Sequence, residues 1–311
     1  MSLHMPAGSL KAVPFSVNLY PHQAGWTYSG LGVLSLAPDQ SFDATTGDTE
    51  MVILPLSRGA LTVEVEGKRF ELQGRESVFS RVTDCVYVPI DSEYRLSTTY
   101  GCEVALPSAK ATRRFSPAYI PAESVPVETR GAGQSSRQVN NFLAPGFFDD
   151  CDKLVCCEVL TPDGNWSSYP PHRHDGQDVG DGSICPVNNE EIYYFRIGVT
   201  GSSGYGPTGF GMHRTYTADQ AINENVVVRD GDVFLVPRGY HGPCIAAPGY
   251  PMYYLNVLAG PAEARSMAFC DDPAHHWIRD TWADMPVDAR IPLTTAAGAR
   301  GIIPPPSGVT A

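Results

Sequence analysis

Ala60-Leu-Thr-Val-Glu-Val-Glu-Gly-Lys-Arg-Phe-Glu-Leu72 alternates apolar and polar residues on both sides of Glu66-Gly67. Side chains on an extended chain point to opposite faces in turn, so a period of two describes two half-buried strands joined by a tight turn. The same alternation runs through most of the chain. It is punctuated by 30 glycines and 27 prolines, and sustained helical periodicity is nearly absent. The sequence therefore predicts an all-β protein of many short strands in a sandwich or barrel.

The order of these segments occurs twice. Glu50-Met-Val-Ile-Leu-Pro-Leu56 leads into Gly59 and the hairpin, then Ser77-Val-Phe79 and Val86-Tyr-Val-Pro89. Glu191-Ile-Tyr-Tyr-Phe-Arg196 leads through a glycine-rich loop to Phe210–Tyr216 and Asn225–Asp230, read as equivalent strands, then to Asp232-Val-Phe-Leu-Val-Pro237. Placing Glu50 on Glu191 and Pro89 on Pro237 sets Glu93 opposite His241, and no His-x-His precedes Glu50. The expectation is two halves, residues 12–125 and 139–290, that share a scaffold, with metal ligands in the second alone. Pro117 to about Gln138, rich in Pro, Ser, Gly and Arg, reads as a connector whose composition disfavours a buried strand. Residues 291–311 read as a tail, poorly packed unless docked on a neighbour. Asp271–Trp282 is the best helix candidate, and His4, in a patternless N-terminus, is given no role.

At 311 residues the chain has ample capacity to bury a core. A formal net charge of −12 argues against nucleic acid or an anionic membrane as partner, since both reward a cationic face. No run approaches the roughly 18 apolar residues that span a bilayer, and the N-terminus lacks a secretory pattern, so the cytoplasm is the expected location. Of eight cysteines, Cys85, Cys102, Cys156, Cys157, Cys244 and Cys270 lie among apolar residues and no Cys-x-x-Cys occurs. They read as reduced, small buried hydrophobes.

Three segments carry chemistry: Tyr169-Pro-Pro-His172-Arg-His174-Asp175, Glu190-Glu191-Ile-Tyr-Tyr-Phe195, and Gly231-Asp-Val-Phe-Leu-Val-Pro237-Arg-Gly-Tyr-His241. Histidines at alternate positions of an extended segment share a face, and Arg173 points the other way. With a carboxylate opening the next strand and a third histidine past Pro237, they supply three nitrogen donors and one anionic oxygen. That set suits zinc, manganese, iron or nickel better than calcium or magnesium.

These segments resemble the cupin pattern, a double-stranded jelly roll holding a metal inside its barrel. Two departures, the long stretch from Asp175 to Glu190 and the shortened Pro237-Arg-Gly-Tyr-His241, point to a subfamily. With Tyr253-Tyr-Leu-Asn-Val257, Ala259-Gly-Pro261 and Asp272-Pro-Ala-His-His-Trp277, the chain closely resembles the 5-deoxy-glucuronate isomerase family of myo-inositol catabolism. The resemblance is dense from about Leu154 to Trp277 and thinner before it. It implies a bicupin, two jelly-roll barrels with few short helices. It also implies an aldose-ketose isomerase that interconverts 5-deoxy-D-glucuronate, a small sugar acid, with 2-deoxy-5-keto-D-gluconate. The related 5-keto-4-deoxyuronate isomerase, a cupin dioxygenase with the same ligands around iron(II), and a non-catalytic sugar-binding cupin remain open beside it. No helix-turn-helix segment or basic patch supports a DNA-binding regulator.

Carried over by position, the metal ligands are His172, His174, Glu191 and His241, around one divalent ion with zinc or manganese favoured. Glu190 competes with Glu191, on the opposite face of the same strand. Isomerisation builds negative charge on two adjacent oxygens, which a divalent cation neutralises, and a base must take a proton. Tyr254 is the proposed pocket residue. Asn256 shares its strand face, and Tyr193, His213 and Tyr240 are further candidates. A uronate carboxylate calls for a guanidinium fork; Arg196, Arg214 and Arg238 are near the motifs, and Arg173 is read as structural. His275, His276 and Trp277 read as one face of the helix. A homodimer is the default expectation.

Overall fold

The computed structural model describes residues 2–176 and 185–299. In the first half a six-stranded sheet runs in the order Ala118–Ile120, Cys85–Val88, Thr49–Ser57, Cys102–Lys110, Ser29–Leu36 and Phe15–Leu19. Facing it is a four-stranded sheet of Ser41–Thr45, Glu93–Ser97, Gly59–Val65 and Lys68–Arg75. The Val65↔Lys68 pair closes the hairpin through Glu66 and Gly67, at φ 53° and 72°, the left-handed pair that a two-residue turn needs to match strand twist. Its inward side chains Leu61, Val63 and Leu72 meet Leu34, Ile53, Val86 and Val104 of the larger sheet in one closed core.

The second half repeats the plan. A seven-stranded sheet runs His4–Met5, Val233–Val236, Glu190–Ile197, Met252–Ala259, Val155–Thr161, Arg137–Asn141 and Val127–Arg130. Opposite it lie Asn223–Val228, Gly211–Tyr216, Tyr240–Ala246, His172–Arg173 and Cys270–Asp271. Tyr193, Phe195, Phe234, Val236 and Tyr254 fill the space between. The chain is thus all-β, two jelly-roll barrels in tandem, as anticipated.

The two large sheets also pack on each other. Val52, Leu54 and Tyr87 of the first half share a cluster with Ile192, Tyr194, Leu235, Tyr253 and Leu255 of the second. Strands buried on both faces lose the clean alternation of a half-buried strand and read as apolar runs, as Glu191–Phe195 does. Alternate residues of one strand therefore enter different cores. Two carboxylates tie the halves reciprocally. Glu190 accepts from the backbone N–H groups of Thr27, Tyr28 and Ser29 at 2.7, 2.7 and 2.8 Å. Glu50 accepts from those of Asp152, Lys153 and Leu154 at 2.9, 2.5 and 2.7 Å.

Several local expectations change. Glu50 shares its face with Val52 and Leu54, as Glu190 does with Ile192 and Tyr194. Met51, not Glu50, is therefore the first-half residue on the face of Glu191, and the repeat is offset by one residue from the sequence superposition. Glu93 points to solvent. The connector contains two short strands, Ala118–Ile120 and Val127–Arg130, both at sheet edges, where charge and neighbouring prolines are tolerated. The helix candidate is shifted and tighter: Cys270–Asp271 is a strand, and a 3-10 helix covers His276–Asp284. His4 is used after all. Its segment pairs with Val233–Val236 and its Nε2 lies 2.8 Å from Asp232 Oδ2. The start of the tail docks through Gln138 Nε2, which donates to Thr294 O at 2.9 Å, while Pro304 and its neighbours lie outside the described residues. All eight cysteines are free thiols, seven of them buried. Among the described residues no helix is long and apolar enough to cross a membrane.

Candidate active site

Strand parity aims the site. Within Glu190–Ile197, Glu191, Tyr193 and Phe195 point into the second barrel, and the neighbouring strand places Asn256 beside Tyr193 and Tyr254 beside Phe195. From the opposing sheet His241 is paired with His172, and His174 follows two residues on. The Oε2 atom of Glu191 lies 3.0 Å from His174 Nε2 and 3.1 Å from His241 Nε2. Its Oε1 accepts from Asn256 Nδ2 at 3.0 Å. Ligand atoms of His174, Glu191 and His241 lie within 4.8 Å of one another, all buried. The His172 ring stands beside them, its centroid 4.5 Å from that of His241, but outside that group of three.

The imidazoles are set to present lone pairs. His172 Nδ1 is 3.1 Å from Pro170 O and His174 Nδ1 is 3.3 Å from Asn189 O, so each donates from Nδ1 and leaves Nε2 free to ligate. Among the described residues both ring nitrogens of His241 are buried without a hydrogen-bond partner, since its contact with Glu191 lacks hydrogen-bond alignment. Burial pushes His172 down to about 3, helped by the neighbouring His174, and burial likewise holds His241 well below its usual range. Burial also opposes charge on His174, but the Glu191 carboxylate outweighs it and raises that pKa. A buried carboxylate facing unpartnered imidazole nitrogens leaves unmatched negative charge and lone pairs at one point. A divalent cation fits that donor set.

His172, His174 and Glu191 line a cavity of about 370 Å³, and His241 is fully buried behind them. Tyr254, Tyr193 and Ser168 form part of its wall: Ser168 Oγ lies 2.9 Å from the Tyr254 hydroxyl and 3.1 Å from that of Tyr193. Burial raises both phenols well above their normal range, so they stay neutral. Val139, Leu258, Met267 and Phe269 give the cavity an apolar side, and Arg130, Arg137 and Arg279 bring positive charge.

The structure brings His174, Glu191 and His241 together, with His172, Tyr254 and Asn256 on the same cavity. It does not bring Arg196 or Arg238. Arg196 has the parity of Glu190 and faces the first half, where Glu103 and Asp230 bind it at 2.7 and 2.8 Å and Tyr205 stacks on it at 3.7 Å. Arg238 is half-buried on the turn before His241 and does not line the cavity. Arg214 lies over Tyr216, and His213 is buried against Phe234, with Nε2 2.8 Å from Thr215 Oγ1. Arg173 has the structural role expected of it, donating to Asp175 at 2.8 Å. Trp277 is exposed and His276 meets Asp271 at 2.8 Å. Sequence reasoning missed Arg130, Arg137 and Arg279. The first two sit in or beside the stretch read as connector, and the available signal was the pair Arg137 and Val139 at strand spacing.

The KduI/IolB family profile matches residues 4–278. The 5-deoxy-glucuronate isomerase of Geobacillus kaustophilus is 40% identical over 267 residues, 85% of this chain and 91% of that protein. That of Bacillus subtilis strain 168 is 37% identical over 254 residues, 81% and 88% of the two chains. A crystal structure of an IolB-like protein from Salmonella typhimurium superposes with a TM-score of 0.79 at 30% identity, covering 89% of this chain and 99% of that one. Oxalate decarboxylase of Lactobacillus farciminis superposes at 0.56 with 11% identity, over 79% and 81% of the chains, a likeness of fold alone. On fold and sequence together, the chain belongs to the KduI/IolB family.

Proposed function

We propose that this protein is a metal-dependent aldose-ketose isomerase that interconverts 5-deoxy-D-glucuronate and 2-deoxy-5-keto-D-gluconate in the cytoplasm. The observation that carries the reading is the buried cluster of His174, Glu191 and His241, the first two lining a cavity of about 370 Å³, in a chain 40% identical to a protein of that name. In this reading residues 139–290 form the barrel that holds the site, and residues 12–125 form a barrel without ligands that covers one face of its large sheet.

His174, Glu191 and His241 hold the ion, zinc or manganese, and His172 is the fourth donor. Bound there, a divalent ion supplies Lewis acidity to two adjacent oxygens of an open-chain sugar. The residues do the rest. Asn256 fixes Glu191 through Nδ2, and its Oδ1, buried without a partner, is placed to accept from a substrate hydroxyl. Tyr254, held neutral, is a proton donor rather than a base, and Ser168 orients its hydroxyl. The apolar wall excludes water around the reacting carbons. Tyr254→Phe is expected to lower kcat by about 100-fold with metal content unchanged. Unchanged turnover would remove Tyr254 from the chemistry.

The deciding experiment supplies metal-loaded protein with 5-deoxy-D-glucuronate in deuterated water without oxygen, followed by NMR. The ketose should accumulate, with deuterium at the former aldehyde carbon, which receives a proton as its neighbour becomes the carbonyl. Turnover only when oxygen is admitted would indicate a dioxygenase, and turnover of 5-keto-4-deoxyuronate alone would indicate the related isomerase.

A further inference from the structure

Among the described residues three guanidinium groups line the cavity, and two of them already have a carboxylate. Arg130 Nη2 donates to Glu128 Oε2 at 2.8 Å, and Arg279 Nη2 donates to Asp271 Oδ1 at 2.7 Å. Arg137 has no such partner among the described residues. Its side chain belongs to a residue 6% exposed, its one hydrogen bond among the described residues runs from Nη1 to Ser135 O at 3.1 Å, and its guanidinium stacks over Trp282 at 5.5 Å. Arg130 and Arg279 add like charge to it, and burial, the largest influence, pulls it down to about 10.

A buried cation without a counterion is destabilising unless an anion joins it. The chain around Arg137 is shaped to admit its fork. Gly131, at φ 73°, lets the chain pass Ser135 O, with which a Cβ would clash, and the same Cβ would stand 2.7 Å from Arg137 Nη1. Arg137 and Val139 share the strand face that lines the cavity, while Gln138 turns away to Asn140 and Thr294. The nearest acid on that wall, Glu128, is engaged by Arg130 and by Asn141 Nδ2 at 3.3 Å. Four of the guanidinium's five N–H donors are thus left for a ligand in a partly apolar cavity.

We infer that Arg137 is the receptor for the carboxylate of the sugar acid, gripping that end of the open chain while the carbonyl end faces His174, Glu191 and His241. The inference rests on the isomerase reading and extends it to substrate orientation and to selection of acids over neutral sugars. A planar fork that meets both carboxylate oxygens fixes direction as well as position, and holding a substrate by its non-reacting end lets binding contribute to the reacting one. Arg130 and Arg279, already neutralised, stiffen the surroundings.

The test uses metal-loaded protein, Arg137→Met and Arg137→Lys variants, and two readouts. Adipate, a six-carbon dicarboxylate that cannot isomerise, reports anion binding by calorimetry. Steady-state kinetics on 5-deoxy-D-glucuronate and on 5-deoxy-D-glucose report selection for the acid. Arg137→Met should weaken adipate by at least about 30-fold and erase most of the preference for the acid, with metal content unchanged. Arg137→Lys, which keeps the charge but loses the fork, should lose about 10-fold. The melting temperature of ligand-free Arg137→Met should equal or exceed that of the wild type, because an uncompensated buried charge is gone; a merely structural arginine would lower it. Wild-type adipate affinity and wild-type acid preference in Arg137→Met would overturn the inference. So would unchanged values in Arg137→Lys if the Met variant does not fold. Arg137-dependent adipate binding in a protein that leaves 5-deoxy-D-glucuronate untouched would sustain the receptor and sink the isomerase reading.

Discussion

Glu191→Gln is expected to lose its metal and at least about three orders of magnitude in kcat/KM, because several kcal/mol of charge stabilisation depend on that ion. Among the described residues, the carboxylate is the single anion at the point where the imidazole nitrogens of His174 and His241 stand 3.0 and 3.1 Å away. An amide there brings no charge and can turn N–H groups toward nitrogens meant to present lone pairs. The neighbouring acid provides the control. Glu190→Ala removes the acceptor for the Thr27, Tyr28 and Ser29 amides and should cost about 2 kcal/mol of stability, yet leave metal content at the wild-type level. Elemental analysis of the two variants side by side checks both statements. If Glu190→Ala were the one to lose metal, the assignment of faces on that strand would be reversed.

The second large effect lies between the barrels. Arg75 and Glu158 are both wholly buried, and Glu158 also accepts from Asn140 Nδ2 at 3.1 Å and from the Tyr253 hydroxyl at 2.9 Å. Burial works against charge on Arg75, but Glu158 outweighs it and keeps the guanidinium's pKa raised. Glu158→Leu strands that guanidinium and should cost about 3–5 kcal/mol, with an unfolding midpoint lower by about 10 °C. The double variant Arg75→Met with Glu158→Leu should recover most of that loss, since a matched apolar pair in a dry interior often does as well as an ion pair. Thermal denaturation of the three proteins measures it. A single variant within about 1 kcal/mol of wild type would mean that water reaches the pair.

Strand character was legible because it depends on a local rule, the alternation of faces, and Ala60–Leu72 obeys it on a half-buried sheet. His172, His174 and His241 could be singled out because a metal-site pattern needs rare side chains at fixed parity, and the structure places all three rings side by side. Parity separated Glu190 and Glu191 onto opposite faces, and the resemblance to the cupin pattern, whose glutamate directly precedes the first apolar residue of the strand, favoured Glu191. Parity could not say what the other face meets. Arg196 is close to the motif in sequence but lies on the face that packs against the first half, so proximity misled. The repeat alignment failed by one residue for a related reason: the first half opens its strand with one acid where the second has two, and chemical likeness drew Glu50 to the wrong member of the pair. Arg137 stayed hidden because a proline- and charge-rich stretch reads as a linker, whereas here that stretch supplies the edge strand Val127–Arg130 and Arg137 opens the strand paired beside it. Its lack of a carboxylate partner is a tertiary fact, visible only once Glu128 and Asp271 are seen bound to other arginines.

Chelation tests whether an ion at His174, Glu191 and His241, with His172 beside them, drives the isomerisation. Metal content and turnover of 5-deoxy-D-glucuronate should be measured on the same sample before chelation, after it, and after readdition of zinc or manganese. Activity should fall with metal to background and return with it in a one-to-one ratio of ion to chain. Full turnover by protein shown to be metal-free would contradict it.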